Sequence, residues 1–218
     1  MRLFLIFIIA ASGLVGCQKD SGATKSSASL KPRYFLDSIS GNDDYADVFD
    51  RYTKMDRSHS EFLPVIMAYA TLWGSDLREA YIREMAGRFR LDEDAEKKLA
   101  TQELQENESF IVFILSVGTR EPEWNELDRQ NSIWRITLES EDGSVQDVPE
   151  RVEVISQKDE RAKYFYKRMD SFTRTYRLRF ARDKFSNVSP VKLYVVGVRG
   201  KMEFSFPNDS VTPGVGAR

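Results

Sequence analysis

The side chains of this 218-residue chain that could do chemistry are few and scattered. It has one histidine, His59, in Arg57-Ser58-His59-Ser60-Glu61, and one cysteine, Cys17. Sites built from several imidazoles are excluded by counting, and a single thiol permits no intrachain disulfide. A lone histidine can act as a general base, but no serine or cysteine nucleophile motif stands beside His59, so it reads as a surface or capping residue. The G-x-S-x-G, phosphate-loop, H-E-x-x-H and dinucleotide signatures are all missing, and no cofactor or metal is expected. Carboxylates gather at Asp43, Asp44, Asp47 and Asp50, at Asp92, Glu93, Asp94 and Glu96, and at Glu121, Glu123, Glu126 and Asp128. The first two groups lack the glycine of a calcium loop and stand where helices should start, which fits capping. The third surrounds Trp124 in a loop, where a ring and carboxylates together can meet a cation, a sugar or a partner. From Lys158 to Lys184 there are ten basic residues against four acidic ones, interleaved with aromatics. Within that stretch Arg174, Arg177 and Arg179 form an expected outward row, a candidate surface for anionic material.

Cys17 has its own context. Met1-Arg2 is a short positive segment, Leu3 to Val15 is apolar, and Leu14-Val15-Gly16-Cys17 follows. The apolar run is too short to span a bilayer of about 30 Å. This arrangement resembles the bacterial lipobox, in which a branched residue and two small or modest ones precede an acylated cysteine. The resemblance implies cleavage after residue 16, a thioether-linked diacylglycerol on Cys17, and an anchor in the membrane. Several acyl chains make that anchor durable, since each buried methylene contributes about 0.8 kcal/mol. Gln18 stands where some Gram-negative lipoproteins carry the Asp of inner-membrane retention. The expected location is therefore the outer membrane, on its periplasmic side. An envelope location also removes nucleic acid as a partner for the basic stretch and leaves anionic envelope material.

These residues must be positioned by a folded body, and the composition allows one: 41% of residues are hydrophobic and 30% charged, with a formal net charge of −2. Residues 17–41 are rich in Ser, Ala, Gly and Lys and read as a flexible tether behind the signal peptide of residues 1–16. Residues 42–108 read as about four helices. The first runs from Asp43 to Met55, with Tyr45, Val48, Phe49, Tyr52 and Met55 at helical spacing, and the second from Glu61 to Trp73, with Pro64 in its first turn. In the third, Leu77, Tyr81, Met85 and Phe89 line one face, and the fourth starts at Asp92. Beyond residue 108 the period changes to two. Strands are expected at Phe110–Val117, around Trp134–Leu138, at Arg151–Ile155, Thr173–Arg182, Lys192–Val198 and Lys201–Phe206, with turns at Asp142-Gly143 and Arg199-Gly200. The spacing predicts an antiparallel β-sandwich over residues 109–207, immunoglobulin-like or similar, and a tail over 208–218. The fold class is α+β. Phe110 to Val117 is apolar on both faces, so one face must be covered by something outside the sheets, most simply the helices.

The segments Trp124-Asn125-Glu126-Leu127-Asp128, Ile133-Trp134-Arg135-Ile136 and Lys163-Tyr164-Phe165-Tyr166 through Phe180 resemble the C-terminal sandwich domains of uncharacterised Gram-negative lipoproteins. That resemblance covers the last half of the chain and implies fold and location, with no activity to carry over. The expected function is that of a lipid-anchored, non-enzymatic envelope protein that binds a protein partner or envelope polymer as a structural or assembly component. Two alternatives stand beside it: an envelope hydrolase using paired carboxylates, and a small-ligand carrier with a pocket between helices and sheet.

Overall fold

Asp44 opens the folded body by accepting from the backbone N–H of Ala46, the cap that the acidic start of helix α1 (Tyr45–Arg51) needs. A computed structural model describes residues 44–60, 63–185 and 190–207. The expected signal peptide, Cys17, the expected tether and the expected tail from 208 lie outside the described residues. After α1 the elements run β1 (Thr53–Ser60), β2 (Leu63–Leu72), α2 (Ser75–Phe89), α3 (Glu93–Ser109), β3 (Phe110–Thr119), β4 (Trp134–Ser140), β5 (Gln146–Asp147), β6 (Arg151–Ile155), α4 (Glu160–Phe165), β7 (Arg174–Ala181), β8 (Val191–Gly197) and β9 (Gly200–Phe206). The strands form two antiparallel sheets, ordered β1-β2-β3-β7-β6 and β5-β4-β8-β9. The fold is α+β.

The helical front half expected over residues 42–108 is corrected. Leu63–Leu72 of the expected second helix is a strand, and so is Thr53–Ser60, which places Met55 and His59 on β1 and ends the first helix at Arg51. The residue types explain the outcome. Val65, Ile66, Tyr69 and Thr71 favour extended backbone, and Pro64 falls near the strand's start, paired with His59 just after a register shift. A strand buried on both faces has no alternation to betray it, so periodicity alone does not separate it from a buried helix. Ile66, Ala68, Ala70 and Leu72 reach the core between the sheets, and Val65 and Thr71 are buried on the other side.

Residues from both sheets share one apolar cluster: Phe113 and Leu115 of β3 and Leu178 and Phe180 of β7 meet Leu138, Leu193, Phe204 and Phe206 of the second sheet. The expectation for β3 holds. Ile111, Phe113, Leu115 and Val117 belong to this cluster, whereas Val112 and Ile114 on the opposite face pack in a second one with Val48 and Phe49 of α1, Leu77 and Met85 of α2, and Phe165 of α4. At the far side of the sheets β9 approaches β1, where the Glu203 N–H donates to the Asp56 carboxylate at 2.8 Å. The β8–β9 turn is Val198-Arg199 between the paired Gly197 and Gly200, one residue earlier than expected. Gly200 has φ +154, and a Cβ there would collide with the Ser58 side chain, so both the backbone and the neighbour require glycine.

Candidate interaction surface

The outward row of β7 does not face water. Tyr176, Leu178 and Phe180 point into the core as the alternation requires, but the opposite face carries the helices, and Arg177 and Arg179 are turned against them. Arg174, an odd number of residues from both, lies on the Tyr176 side, with its guanidinium over the Tyr176 ring. Arg177 pairs with Glu106 of α3 and donates to the Tyr166 hydroxyl at 3.2 Å. Arg179 donates to the other oxygen of Glu106 at 2.8 Å and pairs with Glu153 of β6. Their side chains are 17% and 22% exposed. Arg174 is bound at 3.0 Å by Asp128 and donates to the Asn125 carbonyl at 2.9 Å. The expectation of one outward row, Arg174, Arg177 and Arg179, is therefore corrected: Arg177 and Arg179 share a face and hold a helix to the sheet, and Arg174, on the other face at the strand's start, holds the loop that contains Trp124.

Sequence reasoning missed the partners of this row. Arg78 on α2 is fully buried, donates from Nε to the Trp73 carbonyl at 2.9 Å, pairs with Glu103, and reaches Glu106 at 3.0 Å. Trp73 Nε1 donates to Glu103 at 3.0 Å. Three guanidiniums thus converge on Glu106. Burial by itself would raise the pKa of that carboxyl, but Arg177 and Arg78 beside it, with hydrogen bonds from Arg179 and Arg177, outweigh burial and hold it at about 2. A signal existed in the sequence: Glu103 and Glu106 lie three apart on one helix face, opposite an arginine embedded in the apolar stripe of α2. Both carboxylates of this cluster are occupied by guanidinium or indole donors.

Trp124 closes a 3₁₀ turn and lies under the Arg199 guanidinium, 4.5 Å from its centroid. Its carbonyl accepts from Trp134 Nε1 at 2.7 Å, and Asn125 donates to the Val117 carbonyl while accepting from the Tyr176 hydroxyl. Glu126 pairs with Arg129. Glu126 and Asp128 of the acidic group thus brace the loop, and the structure brings together two of the proposed binding residues, Trp124 and Arg174, in one loop cluster. His59 is exposed on β1, away from any nucleophile motif.

The segment between α4 and β7 is open to solvent. Phe172 is 89% exposed. The turn that presents it is tightly built: Asp170 Oδ1 accepts from the N–H groups of Phe172 and Thr173 at 2.8 and 2.9 Å, and the Asp170 N–H donates to Thr173 Oγ1 at 3.1 Å. Gln157 Nε2 donates to the carbonyls of Asp170 and Thr173, and Met169 anchors the turn in the interior. On α4, its C-terminal connection and α2, Lys167 lies over the rings of Tyr164 and Tyr45, Arg88 over Tyr164 while pairing with Glu84, to which the Tyr164 hydroxyl donates, and Arg161 over the exposed Phe89. Arg168 pairs with Asp50 and Lys163 with Glu160. Two open grooves accompany this surface elsewhere: one of about 580 Å³ between α3 and the β6–β7 edge, and one of about 490 Å³ on the outer face of the β5-β4-β8-β9 sheet.

Compared with known protein families, with curated proteins and with solved structures, the chain matches none.

Proposed function

We propose that this chain is a lipid-anchored envelope protein without catalytic activity, held in the outer membrane by acylated Cys17 and serving as a binding or assembly component. Its two sheets would form an immunoglobulin-like sandwich that acts as a rigid scaffold for the presented surface. The observation that carries the binding reading is the Asp170-braced turn. Five hydrogen bonds from the turn's own atoms and Gln157 order a short segment whose outcome is a phenyl ring standing in water, as an aromatic anchor for a partner would. The hydrolase alternative has little to draw on, because Glu103 and Glu106 face guanidiniums and an indole N–H. The open grooves likewise lack the enclosed apolar lining of a carrier.

The anchor is tested by expressing the chain in a Gram-negative host with a fatty-acid analogue. Wild type should take the label and fractionate with the outer membrane, and Cys17→Ser should do neither. Equal labelling of both proteins would overturn the anchor.

A further inference from the structure

We infer that the segment from α4 to the start of β7 docks onto an anionic lipid bilayer, with Phe172 entering the headgroup region and the surrounding cations meeting phosphates; this rests on the lipid anchor proposed for Cys17. Residues 158–174 carry six basic side chains against three acidic ones. Two of those acids are engaged with backbone, Asp159 as the cap of α4 and Asp170 inside the turn. Lys158, Arg161 and Lys167 have no carboxylate in ion-pair range among the described residues, and the partners of Arg161 and Lys167 are aromatic rings. Exposed aromatics next to lysine and arginine are what the membrane interface accommodates, the ring among acyl ends and the cation at the headgroups.

Place in the chain selects the bilayer over other occupants. Lys167 stands over the ring of Tyr45, the second described residue, so the basic surface adjoins the point at which the polypeptide coming from Cys17 enters the fold. Only 28 positions separate Cys17 from Tyr45 (45 − 17). That short separation in sequence keeps this face within reach of the membrane and makes a weak contact effectively intramolecular. The braced turn means little ordering entropy is lost when Phe172 docks.

The test places a nitroxide at residue 171 through Ser171→Cys in the full chain, reconstituted by its own acyl chains into vesicles of phosphatidylethanolamine with 30% phosphatidylglycerol, or of phosphatidylcholine alone. Mass spectrometry of the N-terminus reports acylation of Cys17 separately, so loss of the anchor and loss of docking are distinguished. The proposal expects the nitroxide to become accessible to oxygen and shielded from a water-soluble quencher in the anionic vesicles only. Adding Phe172→Ser should lower the docked fraction about tenfold or more, the factor that burial of one phenyl ring supplies. Arg161→Gln with Lys167→Gln, or 1 M salt, should also release it. A label that stays in water on acylated protein overturns docking while leaving the anchor intact. Equal insertion into phosphatidylcholine overturns the anionic selectivity. A label aqueous on vesicles but immobilised in native outer membranes identifies a protein occupant and overturns the lipid one.

Discussion

The first sheet has two faces that are built on different chemistry. Between the sheets the contacts are apolar, with Phe113 stacked edge-on to Phe180 and tilted against Phe206. On the helix side an apolar patch around Val112 and Ile114 adjoins a charged one, in which Arg78, Arg177 and Arg179 surround Glu106. The apolar face resists change of pH and punishes lost volume. The charged face does the reverse, because desolvated ions stabilise a fold only while every partner is present and ionised. A strand whose alternation marks one face as polar therefore has not shown that this face is wet.

The contrast can be broken most forcefully in the apolar core. Phe113→Ala should lower the unfolding free energy by about 3–5 kcal/mol, measured by urea titration, and by the same amount at pH 7 and pH 4.5. On the charged face, Glu106→Ala removes the carboxylate from three guanidiniums and should cost about 3 kcal/mol at pH 7. That cost should vanish in acid. Because the folded carboxyl is held at about 2, below its ordinary value of 4.5, its contribution is present above pH 4.5 and is lost as pH falls through about 2. Thermal melts of wild type and Glu106→Gln should accordingly converge over that window, with on the order of 3 kcal/mol disappearing from wild type alone. At the small end, Lys163→Ala, which breaks a water-exposed pair with Glu160, and Phe172→Ser should each move stability by less than about 0.5 kcal/mol. A larger loss at Phe172 would make its turn part of the fold and not a presented surface.

Legibility in the sequence followed the same division. The longer strands from β3 onward were read within a residue or two, because Trp134-Ile136-Leu138 and Tyr176-Leu178-Phe180 alternate cleanly, and the coverage of β3 by helices followed from its two apolar faces. The two-residue β5 and the short helix α4 were missed, being too short to show a period. The cap of α3 by Asp92 was legible for the same local reason, a short acceptor before the first turn. β2 was not, since burial on both sides erases the period that distinguishes strand from helix. The destination of Arg177 and Arg179 was hidden too. Alternation sorts side chains into two faces without saying what lies on either, and Glu106 is 71 residues away from Arg177 in sequence. The Phe172 turn escaped notice because its ring was one of several aromatics interleaved with the basic residues of 158–184, a composition that does not say which ring is exposed. Its exposure depends on Gln157 and Asp170 acting together, a pairing that local pattern does not encode.

Urea unfolding of Arg177→Gln beside wild type at pH 7 tests most directly whether the arginines of β7 belong to the fold. A loss of at least about 2 kcal/mol is expected, with the m-value unchanged, because Glu106 and Tyr166 would lose a partner within a largely dehydrated cluster. An unchanged midpoint would contradict it and return the row to the solvent.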